Sequence, residues 1–182
     1  FETILNLLFE AVPAERAAIL LPEGEPREGA IKASRARKGQ TPPMRISRSI
    51  SRKVIGDKNS LLMPNLMEDA AFSTQDSILS TGIRSAVCAP LLYTSTTGGA
   101  DSVIGLVYLD SLMRSRPFTE DDLRVVTALA NLAAAKIENV RLLEESLEKR
   151  RMEDDMRVAA EIQRGLLPSK APVVPGYGVV GS

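Results

Sequence analysis

The chain has no histidine and no tryptophan, and its only cysteine is Cys88. Without an imidazole there is no histidine base, no Ser–His or Cys–His pair, no His-ligated haem and no zinc site of the usual His/Cys kind. Cys88 alone can form neither an internal disulfide nor a metal site, and no histidine stands by to lower its pKa. A single free thiol suits a reducing compartment, so a cytoplasmic location is expected. An excess of charge of either sign is also missing: 23 Lys and Arg balance 23 Asp and Glu. That balance argues against non-specific nucleic-acid binding, which asks for an overall basic chain. No apolar run approaches the length of a membrane span. Residues 1–22 include Glu2, Glu10, Glu15 and Arg16 and lack the basic–apolar–small order of a signal peptide. Neither nucleic acid nor membrane is therefore expected as a partner. Acidic clusters do occur, at Glu120–Asp122 and Asp154–Asp155. Helix capping and helix solvation account for them, and neither a catalytic nor a metal-binding residue is assigned.

What is present reads as an α+β plan. Residues 3–12 have helical apolar spacing and stop at Pro13; Phe1 begins within that pattern, which implies chain upstream. Residues 17–21 and 30–36 read as strands, 47–55 as a helix with Gly56 at its end, and 60–63 as a short strand stopped by Pro64. A helix is expected from Ser73 through Leu79, closed by Gly82. The clearest strands are 85–92 and 103–108, joined by a polar turn over 94–101. A long helix follows. Thr119 can cap it, Asp122 holds the capping-box position, and Phe118 can staple onto Leu123. Nothing interrupts it before Gly165; about 46 residues at 1.5 Å each span roughly 70 Å, more than one small domain can use. The whole is an antiparallel sheet with helices on its faces.

Three stretches carry a family resemblance: SILSTGIRSAVCAPLL at 77–92, VIGLVYLDS at 103–111, and RPFTEDDLRVVTALANLAAAKIENVRLLEE at 116–145. Together they resemble the second half of a GAF domain, and PAERAAILLPE at 13–23 with NLMEDAAF at 65–72 fits the first half. The resemblance covers residues 1–145. Many such domains bind a small molecule between the sheet and the helices over one face. Mapped here, the wall consists of Met63, Phe72, Ile78, Ile83, Val87 and Tyr108, with Arg84 available to an anionic ligand. Plain core packing of the same residues is the alternative reading. The cyclic-nucleotide signature of some relatives is only partly present. Phe118 and Asp122 fit it, but Leu123 replaces a glutamate and Asp110–Ser111–Leu112 stands in for Asn-Lys. Bilin attachment is disfavoured because Cys88 falls in an apolar strand.

Beyond the resemblance to a sensor lies a second one. The run RVAAEIQRGLLPSKAPVVPGYGVVG, residues 157–181, resembles the leading segment of SpoIIE-like metal-dependent Ser/Thr phosphatases. That implies a truncated phosphatase start at 168–182, its Mn/Mg-binding carboxylates further downstream, and a phosphoprotein substrate for the parent. The fragment itself is not expected to be an enzyme or to carry a cofactor; its small-molecule ligand is unnamed.

Residues 140–167 read as a signalling helix. A 4–3 pattern runs through Val126, Ala130, Ala133, Ile137, Val140, Glu144 and Leu147, and a second through Met152, Met156, Ala159, Gln163 and Leu166. The two are out of register by one residue near Arg150–Arg151. Either two chains pair in parallel and the skip strains their supercoil, or the helix breaks there. Residues 27–53 hold nine basic side chains, Arg27, Lys32, Arg35, Arg37, Lys38, Arg45, Arg48, Arg52 and Lys53, against Glu28 alone. They can form a docking face or a solvated one; without interleaved aromatics they do not suit base stacking.

Overall fold

The computed structural model describes residues 1–23, 28–39, 44, 46–66, 82–94, 101–112 and 116–166. In chain order the elements are α1 (Glu2–Ala11), β1 (Arg16–Glu23), β2 (Glu28–Ala36), α2 (Arg48–Asp57), β3 (Leu61–Met63), β4 (Ser85–Tyr93), β5 (Ser102–Ser111) and α3 (Glu120–Leu166). The strands form one sheet in the order β2-β1-β5-β4-β3, and every neighbouring pair is antiparallel. The chain divides into two units, Phe1–Glu138 and Asn139–Ser182. The first contains the sheet.

Strand alternation sends successive side chains to opposite faces, so each central strand serves two layers. On one face Ile19, Val87, Ala89, Val107 and Leu109 join Leu5, Leu8 and Phe9 of α1 with Val126, Ala130 and Ala133 of α3 in one buried cluster. On the other, Ala18, Leu20, Ala86, Cys88, Leu106 and Tyr108 join Ile50 and Val54 of α2. Gly105 permits the tight centre. A Cβ there would stand 2.3 Å from the Leu20 carbonyl oxygen, a distance that no side chain tolerates.

Both ends of this unit are pinned by polar groups. Arg37 donates from Nε to the Ala14 carbonyl at 2.7 Å and from its terminal nitrogen to the carbonyls of Phe9 and Val12, and lies 5.3 Å over the Phe9 ring. Those carbonyls belong to the end of α1 and the turn after it, where helix acceptors lack partners. At α3 the Thr119 N–H donates to Asp122 Oδ2 at 2.8 Å while the Asp122 N–H reaches Thr119 Oγ1 at 3.3 Å. Phe118 is buried in the cluster that Leu123 packs against, as the capping box and staple expected from the sequence require.

Several boundaries differ from the sequence reading. β5 continues past residue 108 to Ser111 because Asp110, a charge that reads as a strand terminator, is paired inside the sheet. α2 ends at Asp57, and the left-handed residue that follows is Lys58 (φ 53°), two positions after Gly56. The residues from 67 to 81, including the expected helix at 73–79, and those after 166, including 168–182, lie outside the described residues.

In α3 the outcome is mixed. Helical hydrogen bonding continues through Arg150–Arg151, so the break considered there does not occur. Val126, Ala130 and Ala133, read as part of a seam between two chains, are buried at 0, 1 and 3% exposure against the sheet, and Ile137 packs on the same cluster. A 4–3 pattern marks a covered face without saying what covers it. Here it is the chain's own sheet.

The second unit, described to Leu166, is helix. Val140, Leu147, Met152, Met156 and Ala159 are all exposed; the side chain of Leu166 lies outside what is described. No described helix is long and apolar enough to cross a membrane.

Candidate functional site

Strand register lays the face under α2 out in rows. One row runs Arg16, Asp110, Ala86 and Met63 across β1, β5, β4 and β3, and the next Ala18, Tyr108, Cys88 and Leu61. Alternation then decides which expected wall residues share the site. Met63, Ile83 and Tyr108 do, in one cluster beneath Ile50 and Val54 of α2. Val87 does not: it lies between Ala86 and Cys88 on β4 and so faces the cluster shared by α1 and α3. Phe72 and Ile78 lie outside the described residues. Arg84 stands half-buried at the margin, its main chain held on both sides. Its N–H donates to the Ser111 carbonyl and its carbonyl accepts from the Leu66 N–H, both at 2.9 Å.

The polar content of this face was not anticipated from the sequence. Arg16 donates from Nε and a terminal nitrogen to the two Asp110 oxygens, each at 2.7 Å, with both residues buried. The fork geometry satisfies both carboxylate oxygens at once. Tyr108 lies two residues from Asp110, on the same face of β5. Burial pushes the Tyr108 phenol well above its ordinary value, and the Asp110 charge adds to the rise. Burial also raises the Asp110 carboxyl, with the Arg16 bond opposing. For Arg16 burial acts downward, but the Asp110 hydrogen bond and charge leave it raised. Cys88 is pushed up to about 12 by burial alone, so its thiol stays protonated and chemically quiet.

Of the described residues on this face, Met63, Ile83 and Tyr108 pack closely with Ile50 and Val54, and the thiol of Cys88 is buried with them. Among the described residues no group of three or more Asp, Glu or Cys side chains is placed to hold a metal ion. The partial cyclic-nucleotide signature has structural duties here, since Asp122 caps α3 and Asp110 pairs with Arg16. Of the basic run, Arg37 is committed to the carbonyls of Phe9, Val12 and Ala14 and Arg35 to Asn6 and Glu2; Arg27 and Arg45 lie outside the described residues.

The same two strands carry the face under α2 and the face under α3. β5 presents Leu106 and Tyr108 to one and Val107 and Leu109 to the other. β4 meets the start of α3 directly, through the Phe118 N–H and Ser85 Oγ at 3.4 Å. The Ser60 hydroxyl, just before β3, donates to Thr127 Oγ1 of α3 at 2.7 Å, while the Thr127 hydroxyl donates to the Leu123 carbonyl.

Comparison with known proteins gives a consistent family. The GAF domain profile matches residues 1–137. No curated protein matches the chain. Among solved structures, the blue-light absorbing form of the Thermosynechococcus elongatus PixJ GAF domain superposes with a TM-score of 0.61 at 14% identity, covering 82% of this chain and 89% of that one. The GAF domain/HD domain protein from Geobacter sulfurreducens gives 0.60 at 14% identity, covering 78% and 91%. A type II free methionine-R-sulfoxide reductase from Thermoplasma acidophilum gives 0.54 at 12% identity, covering 74% and 88%. A photoreceptor domain and an enzyme on one fold leave the chemistry to the individual site.

Proposed function

The chain belongs to the GAF domain family, and from that premise we propose that it is the sensory module of a signalling protein, taking a small anionic ligand on the α2 face and passing the effect to α3. One observation carries the reading: β4 and β5 floor the candidate seat with Cys88 and Tyr108 and support α3 with Val87, Val107 and Leu109. A displacement of either strand by a ligand therefore bears directly on the helix. Met63, Ile83 and Tyr108 form the floor and Arg84 supplies the charge for an anion. Such a shift requires a ligand that distinguishes two helix arrangements by its affinity.

In this proposal the output is a SpoIIE-like phosphatase, supported by the AAEIQRGLLP and PGYGVVG runs of the sequence. That domain would use Mn or Mg and act on a phosphoprotein; two chains paired through the signalling helix would set its activity. The cytoplasm is the proposed location, in keeping with the free thiol of Cys88.

A second reading has its own support. Met63, Ile83 and Tyr108 are only 3, 2 and 3% exposed and pack with Ile50 and Val54 as a filled core. On that view the domain is a ligand-free dimerisation module. Thermal shift against nucleotides, amino acids and carboxylates separates the two. A stabilising anion whose effect disappears in Arg84→Ala supports the sensor; no stabilisation by any of them supports the module.

A further inference from the structure

β3 closes one edge of the sheet, and Lys58, Asn59 and Ser60 join it to the end of α2. Among the described residues, Lys58 is the one non-glycine with a positive φ, 53°. A side chain in that left-handed region costs free energy, so the surroundings must hold it there. Two contacts supply the hold. Lys58 Nζ donates to the Asp101 carbonyl at 2.7 Å, immediately before β5. The Ser60 hydroxyl donates to Thr127 Oγ1 of α3 at 2.7 Å, and the Thr127 hydroxyl donates in turn to the Leu123 carbonyl at 2.7 Å. Strand alternation explains how this short link reaches the far side of the sheet. Leu61 packs with the cluster beneath α2, so Ser60 and Leu62 on either side of it face α3. Hydroxyls in series polarise one another. This series ends in the first turns of α3, beside the capping box of Thr119 and Asp122.

We propose that residues 58–60 are a strap that carries displacement of α2 to α3 around the β3 edge, beside the route through β4 and β5. The inference adds a path to the relay proposed above and rests on it. Lys58 sets the geometry: its ammonium fixes the left-handed turn against the start of β5. Ser60 then passes the position of that turn to Thr127. Each hydrogen bond alone is modest, but in series along three residues they make the end of α2 and the start of α3 move together.

Hydrogen exchange on the full chain without added ligand tests this, with circular dichroism and the protection of β4 reporting that the fold is kept. Lys58→Met retains the left-handed strain and removes the ammonium. It should quicken exchange about fivefold over residues 123–130, which lie on another helix. In a Thr127→Val background the same change should have no effect there. In Thr127→Ser, which keeps the hydroxyl, the full effect should return. An equal response in the Thr127→Val background overturns the strap and leaves transmission to the sheet. No response of residues 123–130 in the chain that keeps Thr127 overturns it as well. Since no ligand is used, the result does not depend on whether an anion binds beside Arg84, which the thermal shift decides separately.

Discussion

Arg16 and Asp110 face each other across the β1–β5 ladder, 94 residues apart in sequence, and meet through two hydrogen bonds of 2.7 Å. Both side chains are buried, so each charge depends chiefly on the other for its burial. Removing one leaves the partner uncompensated, which costs about 3–5 kcal/mol in buried pairs. Arg16→Met is expected to lose that much in urea unfolding, and adding Asp110→Leu to recover most of it. A loss below about 1 kcal/mol from Arg16→Met would show that water reaches Asp110.

Alkaline stability follows from the same face. The fold favours the neutral forms of Cys88, raised from 9.0 to about 12, and of Tyr108, raised well above 10.0. The unfolded chain binds fewer protons than the native one once pH exceeds those ordinary values, so stability falls as pH rises. Their contribution is complete below 9.0 and is lost through the folded value of about 12. Urea midpoints should hold steady to about pH 8.5 and then decline, and Tyr108→Phe should remove part of the decline. Ellman's reagent should modify Cys88 only after unfolding.

Arg37 holds the end of α1. Its three carbonyl contacts and the Phe9 ring make the guanidinium a cap contributed by the chain just after β2. Arg37→Ala should cost about 2 kcal/mol, within the range for charged hydrogen bonds. Hydrogen exchange should quicken across residues 2–11 while β4 and β5 keep their protection. Uniform quickening would mean that α1 unfolds only with the whole domain.

Asp122 sets the first turn of α3. Asp122→Ala removes the acceptor of the Thr119 N–H and should cost about 1 kcal/mol, lowering Tm by a few degrees. Gly105→Ala should cost more, on the order of 2–3 kcal/mol, because the Leu20 backbone must move to admit a Cβ.

The sequence disclosed what depends on local spacing. Strand alternation, the capping box at Thr119 and Asp122, and the uninterrupted helix after it were legible because neighbours in sequence determine them. The side that each strand residue faces was harder: Val87 and Tyr108 are both apolar strand residues, and only the registers of β4 and β5 place them on opposite faces. The Arg16–Asp110 pair left a faint signal, one charge beside each of the runs AAILL and GLVYL, but its meaning required two distant strands to meet. For α3 the difficulty was physical degeneracy. Docking on a sheet and docking on another helix ask for the same apolar spacing, and burial alone assigned Val126, Ala130 and Ala133 to the sheet.

Native mass spectrometry of the full chain as purified addresses the central claim most directly, since it reads oligomer and retained ligand together. The account predicts a dimer carrying a reproducible extra mass that is lost in Arg84→Ala. A bare monomer at all concentrations would contradict it.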